Sequence, residues 1–194
     1  MGLESDDIDI ALDDMFGEEF AKLISQHINK DKSETGKQVN YGVIKANSEK
    51  SKHLETATIK INGVSIDLVN LRAESYSSES RVPEEVKLGT PTEDAYRRDL
   101  TINSLFYNIN ERKVEDFTGL GLKDLEEKIV RTPLEPKQTF MDDPLRLLRT
   151  IRFANRFEFT IHPDIFEAAK DPEIKVSFSS LVLILIVIFS SKSN

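Results

Sequence analysis

Two aspartates near the start of the chain have the spacing of a metal site. Asp7 and Asp9 belong to DDIDIAL, in which polar and apolar residues alternate from Asp6 to Leu12. Such alternation predicts a half-buried β-strand, and residues i and i+2 of a strand leave the same face about 6–7 Å apart. Carboxylates at that distance can hold one or two divalent cations, and Mg²⁺ prefers a few carboxylates together with substrate phosphates. We therefore predict a metal site at Asp7 and Asp9.

A third carboxylate, Asp67, lies in VSIDLVNL, another alternating stretch. The Asn62-Gly63 dipeptide before it predicts a tight hairpin with the preceding stretch TATIKI. If the strand of Asp67 lies beside that of Asp7 and Asp9, three carboxylates converge, which is the arrangement needed for metal-assisted nucleotidyl transfer. The alternative is that these acids lie on the solvated face of amphipathic strands, which is the usual meaning of an isolated D-x-D pattern.

The stretch MDDPLRLLRTIRFANRF, residues 141–157, combines adjacent acids with arginines at helical intervals. Its arginines are Arg146, Arg149, Arg152 and Arg156, and its apolar stripe is Leu147, Leu148, Ile151 and Ala154. The stripe predicts an amphipathic helix that buries these apolar residues. Asp143 precedes Pro144, so it can be the N-cap of this helix, and Asp143 with Arg146 can be an ordinary surface pair. The residues alone leave a structural and a ligand-binding interpretation open.

The elements before residue 90 predict a sheet with an interleaved helix. Strands are predicted at Val39–Ile44 and Leu54–Ile61, and an amphipathic helix is predicted over residues 14–29. The polar composition of Ser75–Leu88 predicts a loop.

The second half of the chain predicts mainly helices. A capping box with proline at the first helical position, Thr90 to Glu93, predicts a helix start. The helical segment is expected to continue through EDAYRRDLTINSLFYNI, as one helix or as two short helices broken near Asp99. A short strand is predicted at Val114–Phe117, and a turn followed by a helix is predicted for GLGLKDLEEKIVRT. Residues 132–137 contain two prolines, which predicts a linker.

Composition excludes several other classes of protein. The chain has 194 residues, 39% of them apolar, which is enough for one domain or one domain plus part of another. A formal net charge of −8 argues against a free-standing nucleic-acid module, which usually has a basic surface. Without cysteines, and with three histidines far apart, neither disulfides nor a thiolate or histidine metal site is expected. No membrane partner is expected, because the apolar run LVLILIVIF is much shorter than the about twenty residues that span a bilayer.

Five stretches, in order, resemble the class II CCA-adding enzymes, which are tRNA nucleotidyltransferases; the bacterial poly(A) polymerases share much of the pattern. The stretches are DDIDIALD, HLETATIKINGVSIDLVNLRAESY, GTPTEDAYRRDLTINSLFYNI, VEDFTGLGLKDLEEKIVRTP and MDDPLRLLRTIRFANRFEF. The resemblance implies an α/β (α+β) nucleotidyltransferase head domain with a small mixed β-sheet, followed by the start of an all-helical neck. We accordingly expect the head over residues 1–134, the neck over 135–177 and a non-homologous hydrophobic tail over 178–194.

The resemblance also implies roles for single residues. Asp7 and Asp9 match the metal-binding D-x-D, and Asp67 falls where the wider superfamily often has a third catalytic carboxylate. The motif RRDLTINS, which binds the ribose and triphosphate of the nucleotide, is matched by Arg98, Asp99 and Asn103. An arginine suits phosphate charge, and an aspartate can accept a hydrogen bond from a ribose hydroxyl.

The arginine-rich helix resembles the family's E-D-x-x-R motif, with Asp142 in place of the first acid. Asp143 and Arg146 match the pair that selects the incoming base. An aspartate accepts from an exocyclic amine and an arginine donates in a planar fork, so the pair can select C and A over U and G. Arg149 and Arg152 would then serve phosphate binding or structural pairing in the nucleotide site.

Some stretches depart from the family's pattern. The D-F-x-x-G-x-x-D-L element, which the resemblance identifies as a flexible head-neck element, has slightly different spacing here; its residues are Asp116, Phe117, Gly121, Asp124 and Leu125. The family's Gly-Gly turn and V-R-D stretch before the D-x-D do not occur in this sequence. LVLILIVIF is either a buried element whose partner is missing or sequence foreign to the family, and we favour the second. We therefore expect a form truncated at both ends.

The implied function is template-independent RNA nucleotidyl transfer, in which Mg²⁺ assists the addition of C and A to tRNA 3′ ends. The expected partners are tRNA, CTP and ATP. The competing interpretations are a poly(A) polymerase-like enzyme and a non-catalytic fragment that binds nucleotide or RNA. The family acts on tRNA of the cytoplasm, nucleus, mitochondrion and plastid, so an intracellular location is expected without a choice among them, and the oligomeric state is left open.

Overall fold

A computed structural model describes residues 7–31, 40–44, 56–77 and 80–179 of the chain. The side chain of Asp7 and most of the predicted tail over 178–194 lie outside the described part. The chain divides into two compact units, Met1–Glu74 with Glu85–Thr90 and Ser75–Glu84 with Pro91–Asn194. The predicted boundary between head and neck at residue 134 stays a prediction.

The first unit is a four-stranded mixed sheet with one helix packed against it. In order of pairing, the strands are β1 (Asp7–Leu12), β4 (Val64–Asn70), β3 (Thr56–Ile61) and β2 (Tyr41–Ile44). β1 runs parallel to β4, while β3 is antiparallel to both β4 and β2. Helix α1 (Gly17–Asp31) contacts β2, β3 and β4, and the buried core consists of Leu12, Ala21, Ala57, Ile59 and Leu68. The strict alternation of β1 and β4 places their polar residues on the face opposite this core.

Two backbone positions fix the register of this sheet. Asn62 (φ 51°) and Gly63 (φ 90°) form the predicted two-residue turn, in which both residues must adopt left-handed conformations. The turn pairs Ile61 with Val64 and, further along the strands, brings Thr58 opposite Asp67. The predicted hairpin is confirmed, and its register decides which side chains meet on the polar face.

The second unit combines short helices with small two-stranded sheets. Its elements are α2 (Pro91–Tyr96), a 3-10 turn (Thr101–Asn103), β7 (Leu105–Asn108), β8 (Lys113–Asp116), α3 (Gly121–Glu127), β9 (Ile129–Val130), α4 (Pro136–Asp142), α5 (Leu145–Phe157), β10 (Thr160–Ile161), α6 (Pro163–Ala169) and a final helix, α7, over residues 172–179. β7 and β8 form an antiparallel hairpin, and β9 pairs in parallel with β10. Its buried apolar residues form two clusters, Leu100 with Val130 and Ala154, and Phe140 with Ile165 and Ile174. In the described part of the chain, no helix has the length and apolar character needed to span a membrane.

The prediction of a loop over Ser75–Leu88 is wrong. Strands β5 (Arg72–Ser77) and β6 (Ser80–Leu88) pair with each other in a two-stranded sheet. The backbone groups of two such strands satisfy one another whatever the side chains are. A polar two-stranded ribbon can therefore form without the apolar alternation by which a strand is recognised in a sequence.

The segment after Thr90 follows its prediction only in part. α2 begins at Pro91, and the chain breaks before the 3-10 turn at Thr101–Asn103, close to the predicted break at Asp99. The residues after that turn form strand β7, although they were expected to be helical. β8 and α3 lie where a strand and a helix are predicted.

The arginine-rich helix forms, and its predicted apolar stripe is only half covered: Ala154 is buried, and Leu147 packs against the cluster that contains Phe140. Leu148 is 40% exposed and Ile151 is 51% exposed, so the predicted apolar stripe is wrong at these positions. The buried residues of α5 are Arg146, Thr150 and Ala154. The contacts of α5 with α4, β9 and β10 decide which face is covered. Thr150 tolerates burial because its hydroxyl donates to the Arg146 carbonyl oxygen (2.8 Å).

Candidate active site

Two aspartates of the first unit lie on neighbouring strands because β1 and β4 pair in parallel. Asp9 and Asp67 are register partners in this pairing, as are Asp7 and Ser65. Partners in adjacent strands project from the same face, with strands about 4.8 Å apart. The neighbouring strands that the sequence required for a carboxylate cluster are therefore present.

Thr58 extends this row of residues onto a third strand. Its hydroxyl donates to Asp67 Oδ1 at 2.6 Å, a short bond to a carboxylate. The bond fixes the orientation of the Asp67 side chain and leaves Oδ2 for another partner. Sequence reasoning missed Thr58, although the two-residue turn at Asn62-Gly63 already pairs position 58 with position 67.

The donor set suits a hard divalent cation. Aspartate oxygens are ligands that Mg²⁺ prefers, and Asp9 is exposed while Asp67 is half-buried. In the described part of the chain, no group of three possible ligands among histidines, cysteines and acids is close enough to hold an ion. The Asp7 side chain lies outside that part, so the predicted metal role of Asp7 and Asp9 stays a prediction.

In the second unit, Asp94 holds two consecutive arginines. The carboxylate is 2% exposed, Oδ1 accepts from Nε and Nη2 of Arg97 (3.0 and 2.6 Å), and Oδ2 accepts from Arg98 Nε (2.9 Å). Arg98 also donates from Nη1 to the Asn103 carbonyl oxygen (3.2 Å), and its guanidinium lies 5.2 Å from the centre of the Phe106 ring. One carboxylate, one carbonyl and one ring thus hold the Arg98 guanidinium in place.

A second buried carboxylate, Asp99, connects this motif to helix α5. Asp99 Oδ1 accepts from Asn103 Nδ2 (3.1 Å), and Oδ2 accepts from Arg149 Nε (2.6 Å). Asp99 is 7% exposed, and burial strengthens an ion pair relative to water. The structure therefore brings together four of the residues predicted to bind nucleotide: Arg98, Asp99, Asn103 and Arg149.

Asp143 lies at the junction between α4 and α5. Its backbone is extended (φ −148°, ψ 105°), and Oδ1 accepts from the backbone N–H of Leu145 (3.0 Å) while its carbonyl accepts from Arg146 N–H (3.0 Å). Pro144, directly before α5, already has helical dihedral angles (φ −60°, ψ −21°), so the Asp143 side chain caps the first helical turn, as its structural interpretation predicted. The cap uses one carboxylate oxygen, so a base contact through the other remains compatible with it. Arg146 is 8% exposed, whereas Arg152 is exposed and stacks on Phe153, with its guanidinium 5.1 Å from the ring centre.

A family model described as the poly A polymerase head domain matches residues 1–131. The chain belongs to this head-domain family. Its relatives include the mitochondrial CCA tRNA nucleotidyltransferase of Saccharomyces cerevisiae, which is 52% identical over 183 residues that make up 94% of this chain and 33% of the relative. The tRNA nucleotidyltransferase cca2 of Schizosaccharomyces pombe is 46% identical over 186 residues, covering 94% of this chain and 38% of that protein.

A solved structure of a CCA-adding enzyme with ATP has the same head-domain fold. Its TM-score is 0.61 at 27% identity, over 87% of this chain and 34% of that one. The chain spans about a third of the length of the curated relatives it matches, 33% and 38% for the two named above.

In the present chain, hydrogen bonds and an ion pair hold the D-F-x-x-G-x-x-D-L element in place. Asp124 is fully buried, accepts from the Thr101 hydroxyl (2.7 Å) and forms an ion pair with Arg131 (3.1 Å). Asp116 accepts from the backbone N–H groups of Thr118, Gly119 and Leu122. Burial opposes its ionisation, but these bonds and one from the Thr118 hydroxyl outweigh burial and hold the pKa of the Asp116 carboxyl below its usual value. The predicted motion of this element stays a prediction.

Asp94 is the second residue that sequence reasoning missed. On a helix, residues three and four apart are neighbours, so Asp94 with Arg97 and Arg98 already has the spacing of two ion pairs. Burial of the carboxylate distinguishes it from an ordinary surface pair, and burial could not be read from the polar sequence TEDAYRRD.

Proposed function

We propose that this chain is the catalytic part of a CCA-adding tRNA nucleotidyltransferase, which extends tRNA 3′ ends with C and A from CTP and ATP. The identity of 52% over 94% of the chain to a CCA tRNA nucleotidyltransferase carries this proposal. The register of Asp9 with Asp67 and the ion-pair network around Asp94 and Asp99 support it.

In this proposal Asp7, Asp9 and Asp67 hold Mg²⁺, which would activate the attacking 3′ hydroxyl and neutralise charge on the leaving pyrophosphate. Thr58 orients Asp67 through its 2.6 Å hydrogen bond. The precise orientation matters because a misplaced ligand weakens catalysis strongly even when it remains bound.

The second unit supplies the nucleotide contacts in this proposal. Arg98, held by Asp94 and Phe106, offers its remaining N–H groups to the triphosphate. Asp99 accepts from a ribose hydroxyl, with Asn103 and Arg149 holding its carboxylate in place. Asp143 and Arg146 select C and A through the amine and the acceptor that both bases present. Mutation of each of these residues tests the role assigned to it.

The decisive experiment is incorporation of labelled CTP and ATP, with Mg²⁺, into a tRNA that lacks its 3′ CCA. The 194-residue chain is assayed beside a version extended at both ends, and we expect the extended version to incorporate C and then A. The same incorporation by the 194-residue chain would show that it suffices for catalysis. Incorporation of A alone, in long tails, would favour the poly(A) polymerase-like alternative. No incorporation beside an active full-length relative would indicate a fragment that lacks catalytic function.

Asp9→Ala tests the metal role. We expect a loss of activity on the order of a thousand-fold or more, because metal contributions to the transition state amount to several kcal/mol. Asp13→Ala is the matched control, since Asp13 is another exposed aspartate directly after β1. Equal activity of the two variants would contradict the assignment of Asp9.

A further inference from the structure

The four arginines of α5 have different surroundings, although their sequence spacing suggests one shared role. Arg146 is buried at 8% exposure, and Arg149 is paired with Asp99 through Nε (2.6 Å). Arg152 and Arg156 are exposed, and within the part of the chain that the structure describes neither forms an ion pair. Among the described residues, these two guanidinium groups therefore have no acidic partner.

Aromatic rings underlie both of these exposed arginines. The guanidinium of Arg152 lies 5.1 Å from the centre of the Phe153 ring, and that of Arg156 lies 5.6 Å from the centre of the Phe157 ring. The Phe153 ring is shared, because the Arg149 guanidinium lies 5.5 Å from its centre. The two rings are stacked on each other, with centres 5.6 Å apart and planes at 27°. A cation–π contact restrains a guanidinium against the protein surface, and the N–H groups can still donate hydrogen bonds to a ligand.

The charge of this helix contrasts with that of the chain. α5 contains four arginines and no acid, whereas the whole chain has a formal net charge of −8. Arg152 and Arg156 are four residues apart, so they lie on the same side of the helix, about 6 Å apart along its axis. Such a local concentration of planar cations over aromatic rings is complementary to a polyanion with stackable bases.

We propose that Arg152 and Arg156, with Phe153 and Phe157 beneath them, form a docking surface for single-stranded RNA. We call these four residues the α5 RNA face. The guanidinium edges contact phosphodiester groups, and the flat outer faces of the guanidinium groups stack with bases. This proposal rests on the proposed function for its biological meaning, since the strand would be the 3′ end of the tRNA, but binding itself needs no catalysis.

Fluorescence anisotropy with a labelled single-stranded RNA of about twelve nucleotides tests the surface directly. For single strands, each phosphate contact contributes about −0.7 to the slope of log K against log salt. Arg152→Ala/Arg156→Ala is therefore expected to reduce the magnitude of the slope by about 1.4 and the affinity at 0.1 M salt by roughly 25-fold. Arg152→Lys/Arg156→Lys should keep the slope, because it keeps both charges.

The matched control removes the same two charges elsewhere in the second unit. Arg112 and Lys175 are both exposed, and Arg112→Ala/Lys175→Ala should leave slope and affinity close to those of the original chain. Thermal unfolding of each variant verifies that the fold is kept. An equal loss in this control, or no loss in the arginine variant, would overturn the proposal.

Two further measurements distinguish RNA binding from nucleotide binding and from the proposed catalytic function. If excess CTP with Mg²⁺ abolishes the contribution of the two arginines to RNA binding, their ligand is the free nucleotide and the RNA face is wrong. If the chain incorporates no nucleotide but keeps the arginine-dependent slope, the proposed function fails while the RNA face stands.

Discussion

At the scale of single residues, some carboxylates orient other functional groups, while others are themselves candidate metal ligands. Asp94 and Asp99 are both buried and both accept hydrogen bonds from arginines. The sequence could predict Arg98 and Asp99 from their motif. It left the pairing of the strands of Asp9 and Asp67 as a condition, because the turn at Asn62-Gly63 fixes only the pairing of β3 with β4. It could not predict that Arg149 pairs with Asp99, because fifty residues separate them and only the packing of α5 brings them together.

Asp94→Asn should weaken nucleotide binding without removing any group proposed to touch the nucleotide. The substitution removes the charge that holds the Arg98 guanidinium, so its orientation loosens. We expect the Kd for CTP to rise about ten-fold, equivalent to about 1.4 kcal/mol. Isothermal titration calorimetry measures this change.

Arg97→Gln is the control for that substitution. It removes the other guanidinium from the same carboxylate and leaves the Asp94–Arg98 bond in place. If both variants unfold at similar temperatures and both weaken CTP binding equally, the effect reflects stability, and Asp94 has no positioning role.

At the scale of elements, the type of each strongly patterned segment followed from the sequence, while its partners did not. β1, the β3–β4 hairpin and the arginine-rich helix form where alternation and helical periodicity predict them. The ribbon of β5 and β6 was missed because it has no apolar periodicity. The prediction for α5 was wrong at two positions: Leu148 and Ile151 look like core residues but are exposed, while the helix buries Arg146 and Thr150 beside the expected Ala154. The Thr150 hydroxyl is satisfied by a hydrogen bond within the helix. The spacing of apolar residues cannot predict the burial of such a polar side chain.

The corrected face of α5 predicts different costs for two isoleucines of the second unit. Ile165, on α6, is 2% exposed, and Ile151, on α5, is 51% exposed. Ile165→Ala should cost about 2–5 kcal/mol of unfolding free energy, as deletion of a buried side chain does. Ile151→Ala should change stability by no more than about 0.5 kcal/mol. Denaturant unfolding of both variants measures the difference, and equal costs would restore the face that the sequence predicts.

At the scale of the whole molecule, the distribution of charge matters more than its sum. The net charge of −8 argued against a nucleic-acid module, yet the described part of the chain contains a helix with four arginines and no acid. Acids are used in pairs and caps: Asp171 contacts Lys137 across 2.9 Å, and Asp116 caps the turn into α3. These ionised acids link the stability of the molecule to pH.

The pH dependence of stability follows from the carboxyl groups whose pKa is lowered by folding. Burial works against ionisation of Asp116, but the hydrogen bonds that it accepts at the start of α3 lower its pKa, and the hydrogen bond from Lys137 lowers that of Asp171. A group whose pKa is lowered by folding contributes its full stabilisation above its unfolded pKa, about 3.9 for aspartate. That contribution is lost as the pH falls through the folded pKa. Asp116→Asn should therefore be less stable than the original chain by about 1 kcal/mol at neutral pH, because hydrogen bonds to an ionised acceptor contribute more than those to a neutral one. The difference should shrink as the pH falls below about 4. Urea unfolding at a series of pH values measures it, and a difference that stays constant into acid would show that the charge of Asp116 does not stabilise the turn.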